Sequence, residues 1–194
     1  NDLSIATGYW DLKSITELEA SLDSLNKIRI LIGKEPLIPR YGVNDIEDDF
    51  PEDDISNDLI ELDQSSEHKL IISKIKQWID EEKLEVKILK NRFLHAKSYI
   101  FGTLESPKSI GIIGSSNFTG NGLSNNSELN YVENTSQIVQ FEPRSPEQGH
   151  GHLSWFNELW DSDYCEDWDF SFQEILSYSP VGDKLFSPHE SYIK

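Results

Sequence analysis

The sequence predicts an α/β fold. Within its first 33 residues a strand, a helix and a second strand follow one another. So short a span implies two parallel strands joined by a helical crossover. A second helix then leads into further apolar strands, and beyond residue 150 the pattern turns helical and rich in aromatics.

Each element has a local signature. Residues 3–7 (LSIAT) alternate and are β-rich, giving a strand that ends at Gly8. Leu12, Ile15, Leu18, Leu22 and Leu25 recur at helical spacing and mark the first helix. Residues 27–33 (KIRILIG) form a second buried strand, stopped by glycine. Pro36 and Pro39 open an irregular stretch that runs through an acidic segment. A helix over 65–82 follows, with Leu70, Ile71, Ile75, Trp78 and Ile79 as its apolar stripe. Strands are expected at 84–90 (LEVKILK), 95–102 (HAKSYIFG) and 109–115 (SIGIIGS), with a turn at Ser106-Pro107 between the last two. Residues 126–133 (NSELNYVE) make a sixth strand. Trp155, Phe156, Leu159 and Trp160 line one face of a helix, and residues 170–179 form another. Residues 187–194 begin one more, with Ser187 as N-cap and Pro188 at its first position. The expected organisation is one core domain over residues 1–148 and a helical extension over 149–194.

Composition bounds the function. With 194 residues, 37% hydrophobic and 11% aromatic, the chain can bury one good core with at most a short appendage. No apolar run approaches the roughly 18 residues that a membrane span needs. The N-terminus has no basic head or apolar signal core, so a cytoplasmic address is expected. The single cysteine, Cys165, excludes an intrachain disulfide and a cysteine-based zinc site. The chain holds no methionine and does not begin with one, so it reads as a fragment.

The formal charge of −18 is uneven. Residues 45–63 hold ten acids and no base, and residues 158–174 hold seven acids and no base. Without them the chain has 18 acids against 17 bases, so two segments are acidic and the body is not. Lys87, Lys90, Arg92, Lys97 and Lys108 gather around one stretch, a candidate track for phosphates.

That stretch is FLHAKSYIFG, residues 93–102, followed by GSSNF at 114–118. On a strand, residues two apart share a face, which sets His95 beside Lys97. Ser115 and Asn117 follow the turn after the next strand, and Glu128 stands before the sixth. An imidazole can attack phosphorus and form a covalent intermediate. Lysine and an asparagine amide can hold the non-bridging oxygens as charge develops, with the serine hydroxyl assisting. A carboxylate can fix the tautomer and orientation of a histidine. None of this requires a metal or another cofactor. His150 and His152, two residues apart in a Gly-rich stretch, are expected to be loop residues and not metal ligands.

HAKSYIFG, GSSNFTGNG and NSELN together resemble the HKD motif of the phospholipase D superfamily, H-x-K-x4-D followed by G-S-x-N. His95, Lys97, Gly114, Ser115 and Asn117 fall on it, and Glu128 matches the family's later acidic position. One residue departs: Gly102 stands where the motif has aspartate. The resemblance implies a mixed central sheet sandwiched between helices and a site built from two HKD motifs. One histidine is then the nucleophile and the other the acid to the leaving group. No second motif is present, since His68, His150, His152 and His189 lack a lysine two residues on. A homodimer that brings two copies of His95 together is therefore expected.

The flanks IATGYW, RILIGKEP and WFNELWDSDYCEDWDF…SPHESYIK resemble the phospholipase D-like nuclease domain that precedes the motor of bacterial helicases of the SNF2 and DEAD/DEAH types. This implies DNA as substrate and a motor linked in the full-length chain. There is no P-loop here. Two alternatives remain open: an inactive dimerisation and DNA-docking module, and a lipid phosphodiesterase, against which the lack of a membrane-seeking segment counts.

Overall fold

The computed structural model describes residues 1–33, 66–90, 94–102, 109–133 and 151–178. The acidic run at 45–63, the turn at Ser106-Pro107, Arg92, Lys108, His150 and the terminal helix at Ser187 lie outside them. Seven strands form one sheet in the order β6-β5-β4-β1-β2-β3-β7. They are β1 (Asp2–Thr7), β2 (Lys27–Ile32), β3 (Leu84–Leu89), β4 (Ser98–Phe101), β5 (Ile110–Gly114), β6 (Asn130–Glu133) and β7 (Cys165–Asp167). The helices are α1 (Leu12–Asp23), α2 (Ser66–Asp80), α3 (His152–Trp160) and α4 (Asp169–Tyr178). The central strands β1, β2 and β3 run parallel, and β4, β5, β6 and β7 pair antiparallel, so the sheet is mixed as expected.

Alternation along the central strands builds a core on each face. Leu3, Ile5, Ile28, Ile30 and Ile32 point to one side, where Leu12 and Ile15 of α1, Ile75 and Trp78 of α2 and Phe172 of α4 cover them. Ala6 and Leu31 point to the other, against Leu153, Phe156 and Trp160 of α3. Burying side chains of this size contributes roughly 1.5–3 kcal/mol each. Arg29 rises from β2 on the α3 side. It donates to Asn157 Oδ1 at 2.7 Å and Ser4 Oγ at 2.8 Å, and its guanidinium lies 4.9 Å from the Phe156 ring centre. A cation stacked on an aromatic face holds α3 to the sheet.

Four expectations change. The strand expected over 95–102 enters the ladder only at Ser98, so His95 and Lys97 sit in the segment leading into β4. Leu70 is 71% exposed and Ile72 joins the core in its place, while Ile71, Ile75, Trp78 and Ile79 keep the expected stripe of α2. The tail expected to be helical also contains β7, a three-residue strand that pairs with β3 and completes one edge of the sheet. His152 is no loop residue: it opens α3 and is wholly buried, its Nε2 2.7 Å from Ser109 Oγ.

Candidate active site

The pairing register brings the chemistry-bearing residues to one end of the sheet. Ser98 faces Ala6 on one side and Ile113 on the other, and Gly114 faces Asn130. The end of β1, the approach to β4, the exit of β5 and the approach to β6 therefore lie side by side. His95 and Lys97 stand on the approach to β4, Ser115 and Asn117 on the exit of β5, and Glu128 on the approach to β6. In open α/β sheets this carboxyl-end rim of the parallel strands is where ligands bind.

The approach to β4 is held from two sides. Leu94 is buried against Gly33 at the end of β2, where a Cβ would come within 2.4 Å of both the Leu94 Cβ and its carbonyl oxygen. Gly114 N donates to the Lys97 carbonyl at 3.2 Å, extending the β4–β5 pairing by one residue. Between these anchors His95 is exposed, whereas Lys97 is only 8% exposed and donates to the His95 carbonyl at 3.3 Å.

Ser115 and Glu128 close the opposite side. The Ser115 hydroxyl donates to Glu128 Oε2, and Asn126 Nδ2 donates to Oε1 at 3.2 Å. These bonds hold the Glu128 carboxyl below its usual range, with the nearby Lys97 charge adding to the effect. Among the described residues, Ser115 and Asn126 engage the two oxygens of Glu128, and no ring N–H does. The next chain neighbour of Ser115 is fixed by Asn130, whose Nδ2 donates to Ser116 Oγ at 2.7 Å, and by Tyr99, whose hydroxyl donates to the Ser116 carbonyl at 3.0 Å. Burial, then the Glu128 charge, raises the Tyr99 phenol above its usual range. That phenol remains protonated and able to donate.

Asn117 is anchored to the end of β1. Tyr9 N donates to its Oδ1 at 3.3 Å, and Phe118 N donates to Thr7 Oγ1 at 3.0 Å. Trp10 and Phe118 form a parallel bridge, with Phe118 in the core. Beyond Asn117, Gly120-Asn121-Gly122 opens a one-turn π-helix, Asn121–Asn125. Asp11, the N-cap of α1, accepts from Ser14 N at 2.9 Å and from Gly120 N at 2.9 and 3.0 Å. Burial raises the Asp11 carboxyl despite those bonds.

Sequence reasoning missed Thr7, Asp11, Tyr99 and Asn130 as supports of this site. An aspartate immediately before an apolar residue that begins a helical period, as Asp11 stands before Leu12, is an N-cap signal, but its second partner, Gly120, is 109 residues away. The expected basic track does not assemble from the described residues. Lys87 lies 3.3 Å from Asp167, and Lys90 pairs with Glu166, at the sheet edge away from β6. Among the described residues no cluster of three or more His, Cys, Asp or Glu could hold a metal ion.

What the site can do follows from its parts: an exposed imidazole, a sunken ammonium, an amide and a hydroxyl–carboxylate pair converge on one rim. No curated protein matches the chain. A family model does: residues 1–142, a span that contains all five residues, match the family described as cardiolipin synthase, PLD-like domain.

Proposed function

Since the chain belongs to the family of PLD-like domains of the cardiolipin synthase type, a family whose chemistry is that of phosphodiester bonds, we propose that it is a metal-independent phosphodiesterase that cuts DNA. The observation that supports this is the gathering of His95, Lys97, Ser115, Asn117 and Glu128 on one sheet rim. A ring nitrogen of His95 attacks phosphorus, and the P–O bond to the leaving group breaks. A second histidine gives its proton to that leaving oxygen. Water then attacks the phosphohistidine, the N–P bond breaks, and the second histidine takes the water's proton. Lys97 and Asn117 hold the non-bridging oxygens, and Ser115 assists with its hydroxyl held in place by Glu128.

One chain supplies one motif, so the second histidine is His95 of a two-fold-related copy. The flanking resemblance supports a helicase motor in the same full-length polypeptide, with DNA as the shared substrate. The test is nicking of plasmid DNA in EDTA. Cleavage should vanish in His95→Ala; activity retained by that variant, or strict dependence on added magnesium, would sink the proposal. DNA binding without cleavage, unchanged in His95→Ala, would point to a docking module. Release of headgroups from phosphatidylglycerol vesicles with intact DNA would point to a lipid enzyme.

A further inference from the structure

We infer that Thr7 is a positioning residue for the amide of Asn117. The inference rests on the proposed role of Asn117 in holding phosphate, and it extends that role to a residue with no exposure to substrate. Thr7 is the last residue of β1 and is wholly buried. Its hydroxyl lies 2.6 Å from the Tyr9 carbonyl oxygen, 3.0 Å from Phe118 N and 3.4 Å from Asn117 Oδ1.

A threonine hydroxyl has one proton and two lone pairs. The proton goes to the nearest acceptor, the Tyr9 carbonyl, and a lone pair receives the Phe118 N–H. Thr7 thereby fixes two backbone points, one on each side of the Asn117 side chain. Tyr9, held through its carbonyl, turns its own N–H onto Asn117 Oδ1 at 3.3 Å. Phe118, held through its N–H, sets the backbone immediately after Asn117.

This also fixes which way the amide faces. The Tyr9 N–H can only donate and so takes the amide oxygen, and the 3.4 Å approach of Thr7 Oγ1 to that oxygen is a contact with no proton between them. The oxygen is therefore turned to Tyr9. Nδ2, which has no hydrogen-bond partner among the described residues, is left to donate to a bound phosphate oxygen. Valine matches the shape of threonine but lacks the hydroxyl. In Thr7→Val the buried Phe118 N–H loses its acceptor and the Tyr9 carbonyl its donor. The loop and the amide should then shift together.

The test uses the full chain with bis(p-nitrophenyl) phosphate as probe, alongside NMR of the Asn117 side-chain amide. Thr7→Val should lower kcat by about 10- to 100-fold, as a misplaced donor does, with KM near that of the wild type. Its Asn117 amide signals should move. Thr7→Ser keeps the hydroxyl and should restore both kcat and the signals. Wild-type kcat and unmoved signals in Thr7→Val would overturn the inference. Should the wild-type protein leave the probe uncut, the phosphodiesterase assignment falls, while the amide signals of Thr7→Val and Thr7→Ser still decide whether Thr7 positions Asn117. Should Thr7→Val fail to fold, relaxation of the Asn117 amide in the wild type decides: an amide as rigid as the backbone supports the inference, and a mobile one overturns it.

Discussion

At the scale of single residues, Gly102 shows why a motif letter can change without removing a contact. Its φ is 148°, a backbone conformation that side-chain-bearing residues rarely adopt, and its N–H donates to the Asp2 carbonyl at 3.1 Å. It also lies at the far end of β4 from the site. Five residues of extended chain place it roughly 17 Å from Lys97. An aspartate here would touch no phosphate and would strain the backbone. Gly102→Asp should therefore lower unfolding free energy by about 1–2 kcal/mol in urea titrations without raising cleavage. A gain in activity would refute this. The HKD spacing was legible in the sequence because it is local. The strain at Gly102 was not, since a dihedral angle leaves no trace in composition.

At the scale of elements, two contacts set where the site-bearing segments lie. Gly33→Ala would drive a methyl group into Leu94, so the approach to β4 must move. This predicts a stability loss of about 1–3 kcal/mol, the usual range for overpacking, together with weaker cleavage. A variant with wild-type stability and activity would show that Leu94 is not held there. The second contact is His152, buried at the start of α3 with its ring 3.2 Å from where a Gly111 Cβ would be and its Nδ1 without a hydrogen-bond partner among the described residues. Burial lowers its pKa below the usual value, while the Ser109 bond and the Glu133 charge act the other way. The folded state therefore binds this proton less readily than the unfolded chain. The stabilisation is complete above the unfolded value, near pH 6.5, and is lost as pH falls below it. The urea midpoint should drop between about pH 7 and pH 5, and His152→Gln should flatten that drop; an equal slope in the variant would exclude His152 as its source. Periodicity made β1, α1 and β2 readable because each turns one face to a core. β7 was unreadable, because three residues carrying two acids make a strand only through their partners on β3.

At the scale of the whole molecule, one acidic segment acquires a structural use. Glu166 and Asp167, inside the acid-only stretch 158–174, face Lys90 and Lys87 across the β3–β7 pair. Charge counting along the chain puts those lysines on a phosphate track, because sequence distance hides cross-strand neighbours. Exposed ion pairs of this kind contribute little to stability, but acids on an edge strand also discourage further strand addition. The proposed two-fold arrangement has its own consequence. If each site needs two copies of His95, adding His95→Ala protein to wild type under subunit exchange should suppress cleavage progressively. Activity that stays proportional to the wild-type protein alone would rule out a shared site.

The hydrogen bond from Phe118 N to Thr7 Oγ1 spans 111 positions of the chain. During synthesis, at roughly 5–20 residues per second, Thr7 leaves the ribosome on the order of ten seconds before its partner. Through that interval β1 can pair with β2, but its other edge waits for β4, the strand that begins at Ser98. An open edge on an apolar strand invites pairing with another chain. The same long closure that assembles the site thus makes the newborn chain vulnerable until its second half arrives. A version ending at residue 95 should aggregate under conditions in which the full chain stays in solution.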